Sequence, residues 1–261
     1  MTTDLTIEPI KAFADNYIWL ISREGYSGCA VVDPGDDVPV CQVLQQRGLQ
    51  LEAILITHKH ADHVGGVSAL QAQWPQAVVY GPAHEPIKAI QVSLQQGDQV
   101  MLEHFGTFEV LDVPGHTEGH IAYYRPGILF CGDTLFAGGC GRVFSGTFEQ
   151  LSDSLLHLAQ LPGETKVYCA HEYTQDNLGF AQWVEPENPA LLARVAQVKQ
   201  QRAVGQATVP STLAEELATN PFMRTTQPSV VVAAEQWAGQ PLPTTTAVFR
   251  ALRTWKDKEY D

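Results

Sequence analysis

Residues Thr57 to His63 read Thr-His-Lys-His-Ala-Asp-His. His58, His60, Asp62 and His63 thus offer three imidazoles and a carboxylate within one short stretch. Nitrogen and oxygen donors of this kind suit zinc, and iron or manganese as well, while the lack of thiolates argues against a purely structural zinc. The apolar run Leu51–Ile56 reads as a buried strand, so the motif begins where that strand ends. Gly65-Gly66 follows, and a tight turn there lets backbone come close to bound metal.

Three more ionisable residues repeat this arrangement. His116 follows the run Thr107–Val113 through Pro114-Gly115, Asp133 follows Ile128–Cys131 through Gly132, and His171 follows Lys166–Ala170 directly. Together with the cluster they make seven ligand-type residues, more than one tetrahedral zinc can use. Two metals sharing a bridging carboxylate can use them, and such a pair polarises an acyl group and holds a nucleophilic hydroxide. His84, His104, His120 and His157 read as non-ligands. The chain has no Gly-x-Ser-x-Gly elbow and no Walker A loop. Gly138-Gly139-Cys140-Gly141 lacks the strand-then-helix context of a dinucleotide site, and instead lets the chain wrap closely after Asp133.

The elements that must hold these residues are mostly short strands. Thr6–Ile10, Tyr17–Ser22, Cys29–Val32, Ala77–Tyr80, Gln99–Leu102 and Ile121–Tyr124 join the runs already named. Val40–Arg47, Gly66–Trp74 and Phe148–Leu161 read as helices. After about residue 174 the pattern turns helical. Asn188-Pro189 opens a helix carrying Leu191, Leu192, Val195 and Val198. Ser211–Ala218 and Val230–Gln236 read as shorter helices, the latter ambiguous with strand. Val248, Leu252 and Trp255 form the stripe of a last one. The expected architecture is an α/β body, residues 1–173, and an all-helical domain, residues 174–261.

The 261 residues carry 29 acids against 16 bases, a formal net charge of −13. All of the excess lies before residue 185, so the helical third is neutral. An acidic body is a poor partner for a nucleic-acid backbone and tolerates divalent cations. No apolar run reaches the length of a membrane span, and the first residues lack a basic start and an apolar core, so no secretory leader is expected. Five scattered cysteines without a Cys-x-x-Cys pair fit a reducing, cytoplasmic setting. No apolar stripe calls for more than a monomer.

The motifs T-H-x-H-x-D-H-x-G-G, P-G-H-T, G-D-T-L-F and a late histidine resemble the metallo-β-lactamase superfamily. Within it the chain resembles the glyoxalase II, or hydroxyacylglutathione hydrolase, family. The likeness rests on Asn16-Tyr17-Ile18-Trp19, Gly132–Cys140, Cys140-Gly141-Arg142, Ala170-His171-Glu172-Tyr173-Thr174 and the Arg250–Asp257 tail. It implies an αββα sandwich with two divalent metals, zinc first among the candidates, followed by a helical substrate domain. It assigns one metal to His58, His60 and His116, the other to Asp62, His63 and His171, and makes Asp133 the bridge. Asp62 and Asp133 would position a metal-bound hydroxide. The implied substrate is S-D-lactoylglutathione, cleaved to glutathione and D-lactate, the second step of methylglyoxal detoxification. Arg142, Phe144, Tyr173, Arg253 and Lys256 would receive the glutathione moiety. Phe144 lacks the hydroxyl found at that place in one family variant. Arg253 and Lys256, three apart on one helix face, are expected at a half-exposed rim. The alternative within the superfamily is a glutathione persulfide dioxygenase with a single iron.

Overall fold

A computed structural model describes residues 5–260; the first few residues of the leader reading lie outside that range. Strands β1 (Leu5–Ala12) and β2 (Asn16–Arg23) form a hairpin in register from Leu5↔Arg23 to Ala12↔Asn16. β3 (Gly28–Val32) pairs antiparallel with β2, and β4 (Gln50–Leu55), β5 (Val78–Pro82) and β6 (Val92–Leu94) continue the sheet in parallel. All five residues of β3 are buried, as expected of a parallel strand covered on both faces.

Helix α1 (Asp37–Arg47) starts where the Asp36 side chain accepts the Val38 N–H, and ends at Gly48 in the left-handed conformation, φ 66°. α2 (Ala61–Val64) is a single turn, and α3 (Val67–Gln73) follows it. Val40 and Leu44 of α1 and Val67 and Leu70 of α3 share a core with Leu20, Val31 and Ile54 of the sheet.

The second sheet contains β7 (Gln99–Leu102), β8 (Gly106–Asp112), β9 (Ile121–Arg125) and β10 (Ile128–Gly132). A small hairpin, β11 (Leu135–Phe136) with β12 (Gly139–Cys140), comes next. α4 (Phe148–Leu158) opens with a reciprocal Thr147–Gln150 capping box. β13 (Lys166–Cys169) and β14 (Ser211–Thr212) complete a strand order of β14-β13-β10-β9-β8-β7. Two hydrogen bonds join β9 to the end of β4: Tyr123 Oη donates to the Ile56 carbonyl at 2.8 Å, and Ile121 N to the Thr57 carbonyl at 3.0 Å. Burial holds the Tyr123 phenol well above its ordinary pKa, so it stays a donor.

The chain forms two compact units. One runs through Asp112 and adds Gly119–Arg125 and Leu129–Gly132; the other takes Val113–Glu118, Pro126–Ile128 and everything from Asp133. The helices of the second are α5 (Thr174–Val184), α6 (Pro189–Ala203), α7 (Leu213–Thr219), α8 (Pro228–Ala238) and α9 (Thr245–Trp255), the last continued by a π-helical turn over Lys256–Tyr260. Asn188 accepts from Ala190 N and Leu191 N at the start of α6, with Pro189 at the first helical position. Leu178 and Ala181 of α5 pack against Leu191, Val195 and Val198 of α6.

The expected class, an α/β body followed by helices, is the one observed. Locally there are differences. Ser211-Thr212 is strand rather than helix, because it pairs with Lys166 and Val167; Thr212 then caps α7. The ambiguous Val230–Gln236 lies inside α8. α5, α2 and β6 had no clear periodic signal.

Candidate metal centre

The His58–His63 stretch leaves β4 and enters α2, and its side chains are fixed by buried partners. Asp33, at the end of β3, accepts Thr57 N at 2.8 Å and Thr57 Oγ1 at 2.7 Å. The same carboxylate lies 3.1 Å from His63 Nδ1. Because Thr57 Oγ1 gives its proton to Asp33, it accepts from His58 Nδ1 at 3.1 Å. His58 is thereby held with its proton on Nδ1 and its lone pair on Nε2, the arrangement that outer partners impose on metal-ligating histidines. His58 Nε2 lies 3.0 Å from His60 Nδ1, and His63 Nε2 lies 3.5 Å from Asp62 Oδ2. Asn16 Nδ2 donates to that Asp62 oxygen at 3.0 Å. Gly35 is required here, since a Cβ would fall 1.8 Å from the Asp62 carbonyl oxygen.

In the second unit, His116 Nδ1 donates to the Arg142 carbonyl at 2.8 Å, which again leaves Nε2 available. That nitrogen is 3.5 Å from Asp133 Oδ2. The other oxygen, Oδ1, is 3.4 Å from His171 Nε2. One carboxylate therefore turns a different oxygen to each of two imidazoles.

These spacings test whether a metal fits. Two donors bound tetrahedrally at ~2.0–2.1 Å stand about 3.3 Å apart, and the four separations above run from 3.0 to 3.5 Å. His58, His60, Asp62 and His63 gather in the first unit, and His116, Asp133 and His171 in the second. Five imidazoles and two carboxylates, mostly buried, make a donor set suited to divalent metal.

The residues assigned to substrate are placed as follows. Tyr173 stacks on the His171 ring at 4.6 Å and 10°. Phe144 is 65% exposed and meets the edge of the His116 ring at 5.2 Å. Arg142 is half-exposed, with Nε 3.7 Å from Asp257. The expected rim position of Arg253 and Lys256 does not hold, for they are only 1% and 5% exposed. Arg253 donates to the Cys140 carbonyl at 3.1 Å and from Nε and Nη2 to Asp257 Oδ1. Its guanidinium also lies over the Phe222 ring, and Lys256 Nζ lies over Tyr260. Burial pushes the neighbouring Cys140 thiol up to about 11, against the opposing pull of the Arg253 cation. His120, read as a non-ligand, is buried and stacks on His58 at 4.5 Å. Sequence reasoning missed Asp33 as well; Asp33-Pro34-Gly35 reads only as a turn.

The α/β fold and its His/Asp cluster define a member of the metallo-β-lactamase superfamily. The superfamily model matches residues 14–171. A model described as the hydroxyacylglutathione hydrolase C-terminus matches residues 172–259. Hydroxyacylglutathione hydrolases of Photobacterium profundum and Alkalilimnicola ehrlichii are 53% and 54% identical to this chain. Each alignment spans 97% of this chain, and 99% and 98% of the respective relative. The chain belongs to the hydroxyacylglutathione hydrolase family and is a hydrolase. Among solved structures, ETHE1 from Myxococcus xanthus is similar at TM-score 0.67 and 25% identity over 98% of this chain and 92% of that one. A protein titled TTHA1623, solved in a di-iron-bound form, is similar at TM-score 0.53 and 30% identity, over 63% of this chain and 91% of that one.

Proposed function

We propose that the chain hydrolyses S-D-lactoylglutathione and related 2-hydroxyacyl thioesters to glutathione and the hydroxy acid, at a centre of two divalent metals, zinc in the first instance. His58, His60 and His116 would hold one metal, Asp62, His63 and His171 the other, and Asp133 would serve both. The observation that carries this reading is Asp133, with a separate oxygen toward His116 and toward His171. When bound, the metals supply Lewis acidity and a water activated near neutral pH. The chain's own residues fix where that chemistry happens. Asn16 holds the Asp62 carboxylate, and Asp62 and Asp133 together orient the attacking water toward the thioester carbon. The leaving thiolate has a parent pKa of about 8.5, so it departs without a dedicated general acid.

Residues 1–173 serve the metals, and 174–261 serve the glutathionyl moiety with Arg142, Phe144 and Tyr173. Family membership and the change of matched model after residue 171 support that division. Lys256, whose ammonium lies over the Tyr260 ring, offers charge to a peptide carboxylate together with Arg142. Arg253 shapes the same pocket through Cys140 and Asp257. Four buried cysteines of five support placement in the cytoplasm, and we read the enzyme as a monomer. Steady-state hydrolysis of S-D-lactoylglutathione beside metal quantification tests the proposal. Turnover with close to two metals per chain is the expected result. Full activity with one reproducible metal refutes the binuclear reading, and no turnover refutes the substrate.

A further inference from the structure

The hairpin β11–β12 lies in the chain between Asp133 and Arg142. Its pairs Leu135↔Cys140 and Phe136↔Gly139 extend downward through Gly141 N to the Thr134 carbonyl. At its foot stand Asp133 on one side and Arg142, whose carbonyl orients His116, on the other. The foot is tight: a Cβ on Gly141 would lie 2.1 Å from the Asp133 carbonyl oxygen and 2.8 Å from His116 Nδ1. The tip turns through Gly138 at φ +72°.

Side chains from the helices grip that tip. Glu216 of α7 accepts Gly138 N at 2.8 Å. Asn220 donates to the carbonyls of Phe136 and Gly139 at 3.3 and 2.9 Å, and to Glu216 Oε2 at 3.0 Å. Asn177 of α5 donates to the Ala137 carbonyl at 3.2 Å. The other Glu216 oxygen takes Arg194 Nη2 at 2.6 Å, and Arg194 also donates to Thr219 at 2.7 Å. The Glu216 side chain is fully buried and that of Arg194 nearly so. Such a pair returns little stability after its desolvation cost, and buried ion pairs are better explained by the geometry they impose. Every polar group of Glu216 is engaged, and one of its contacts is a backbone N–H of the hairpin tip.

We propose that Glu216 is a positioning residue for the metal centre. It fixes the hairpin tip, and the hairpin transmits that constraint to the Asp133 carboxylate and to the Arg142–His116 hydrogen bond. The inference rests on the reading of Asp133 and His116 as metal ligands. It makes α7 part of the metal-binding apparatus, although none of its residues is a ligand.

The test is Glu216→Gln in the full chain. A glutamine can present its oxygen to Gly138 and Asn220 only by turning its NH2 toward Arg194, so one contact is always mismatched. Zinc affinity, measured by competition with a chromophoric chelator, should fall about tenfold for the more weakly held ion. The kcat for the thioester should drop with KM nearly unchanged, since no glutathione contact is altered. The double variant Arg194→Met/Glu216→Gln removes the donor clash and should recover most of the affinity. Asn177→Ala, which loses one carbonyl contact, should shift affinity in the same direction by less, and answers the question if Glu216→Gln does not fold. Arg224→Gln, which breaks a separate ion pair with Glu185, controls for lost stability and should leave zinc affinity alone. Unchanged affinity in Glu216→Gln or, if that fails to fold, in Asn177→Ala overturns the proposal. So does an equal fall in Arg224→Gln. Asp133→Ala is run alongside: if it too keeps both ions, the ligand reading itself is at fault.

Discussion

Replacing Asp33 by asparagine should damage metal binding without touching a ligand. The carboxylate accepts from Thr57 N and Thr57 Oγ1 and faces His63 Nδ1, at 2.8, 2.7 and 3.1 Å. Two of these meet at Oδ2. An asparagine keeps one oxygen, and its NH2 then faces either the Thr57 hydroxyl together with His63 Nδ1, or the Thr57 N–H. It also removes the charge that favours His63 as a donor at Nδ1. Hydrogen bonds to charged groups contribute about 1.5–3 kcal/mol, and loss of an outer partner typically lowers metal affinity about 10- to 100-fold. We expect a fall within that range for the ion held by His63. Asp33 has φ +51°, a conformation asparagine also tolerates, so backbone strain does not confound the change. Chelator competition measures the affinity, and urea unfolding of the metal-free protein measures the fold. Wild-type affinity in the variant would refute the argument that the Asp33 carboxylate holds Thr57 and His63 for the metal. A loss confined to urea stability would show that Asp33 only ties the end of β3 to the end of β4.

Asp133→Ala should disturb both metals, whereas His116→Ala should mainly disturb one, as read by elemental analysis after dialysis. Lys256→Ala should raise KM for S-D-lactoylglutathione roughly tenfold, about 1.4 kcal/mol, and leave a small non-glutathione thioester unaffected. Arg253→Ala should raise KM and also lower unfolding stability by about 2 kcal/mol, because its lost bonds are internal; because the guanidinium is buried, added salt should change little. Burial raises the Cys29 and Cys169 thiols to about 12 and Cys140 to about 11, so native protein at pH 8 should react with a thiol reagent first at the more accessible Cys41. Glu185 is pushed up by burial but pulled lower overall by Arg224 and Ser229. That stabilisation is full above the ordinary carboxylate pKa of 4.5 and is lost as pH falls through the lower folded value. The stability gap between wild type and Arg224→Gln, followed by urea midpoints, should therefore narrow below about pH 4.5.

The His/Asp cluster was legible because each member is a metal-binding residue type placed after an apolar run, a local signal. What holds them was not. Asp33 reaches Thr57 across 24 residues, and Asn220 reaches Gly139 across 81. Neither partner has a periodicity or a motif to announce it, since a single hydrogen bond needs no pattern. The same applies to Arg253. Its place on the last helix was visible, yet its burial depends on the Cys140 carbonyl 113 residues away. His120 reads as a non-ligand, and only packing shows that its ring lies against His58. Strand Ser211-Thr212 was read as helix because its apolar neighbours belong to α7, while its pairing partner β13 is remote in sequence.

The bonds from β9 to the end of β4 also bear on how the protein is made. Tyr123 and Ile56 are 67 residues apart, so at synthesis rates of ~5–20 residues per second the His/Asp stretch after β4 precedes these bonds by roughly 3–13 s. During that interval His58, His60, Asp62 and His63 belong to a nascent chain with no second sheet to hold them. Asp133 and His171 emerge later still. The order of translation thus separates the arrival of these side chains from the formation of the hydrogen bonds that tie β9 to the end of β4.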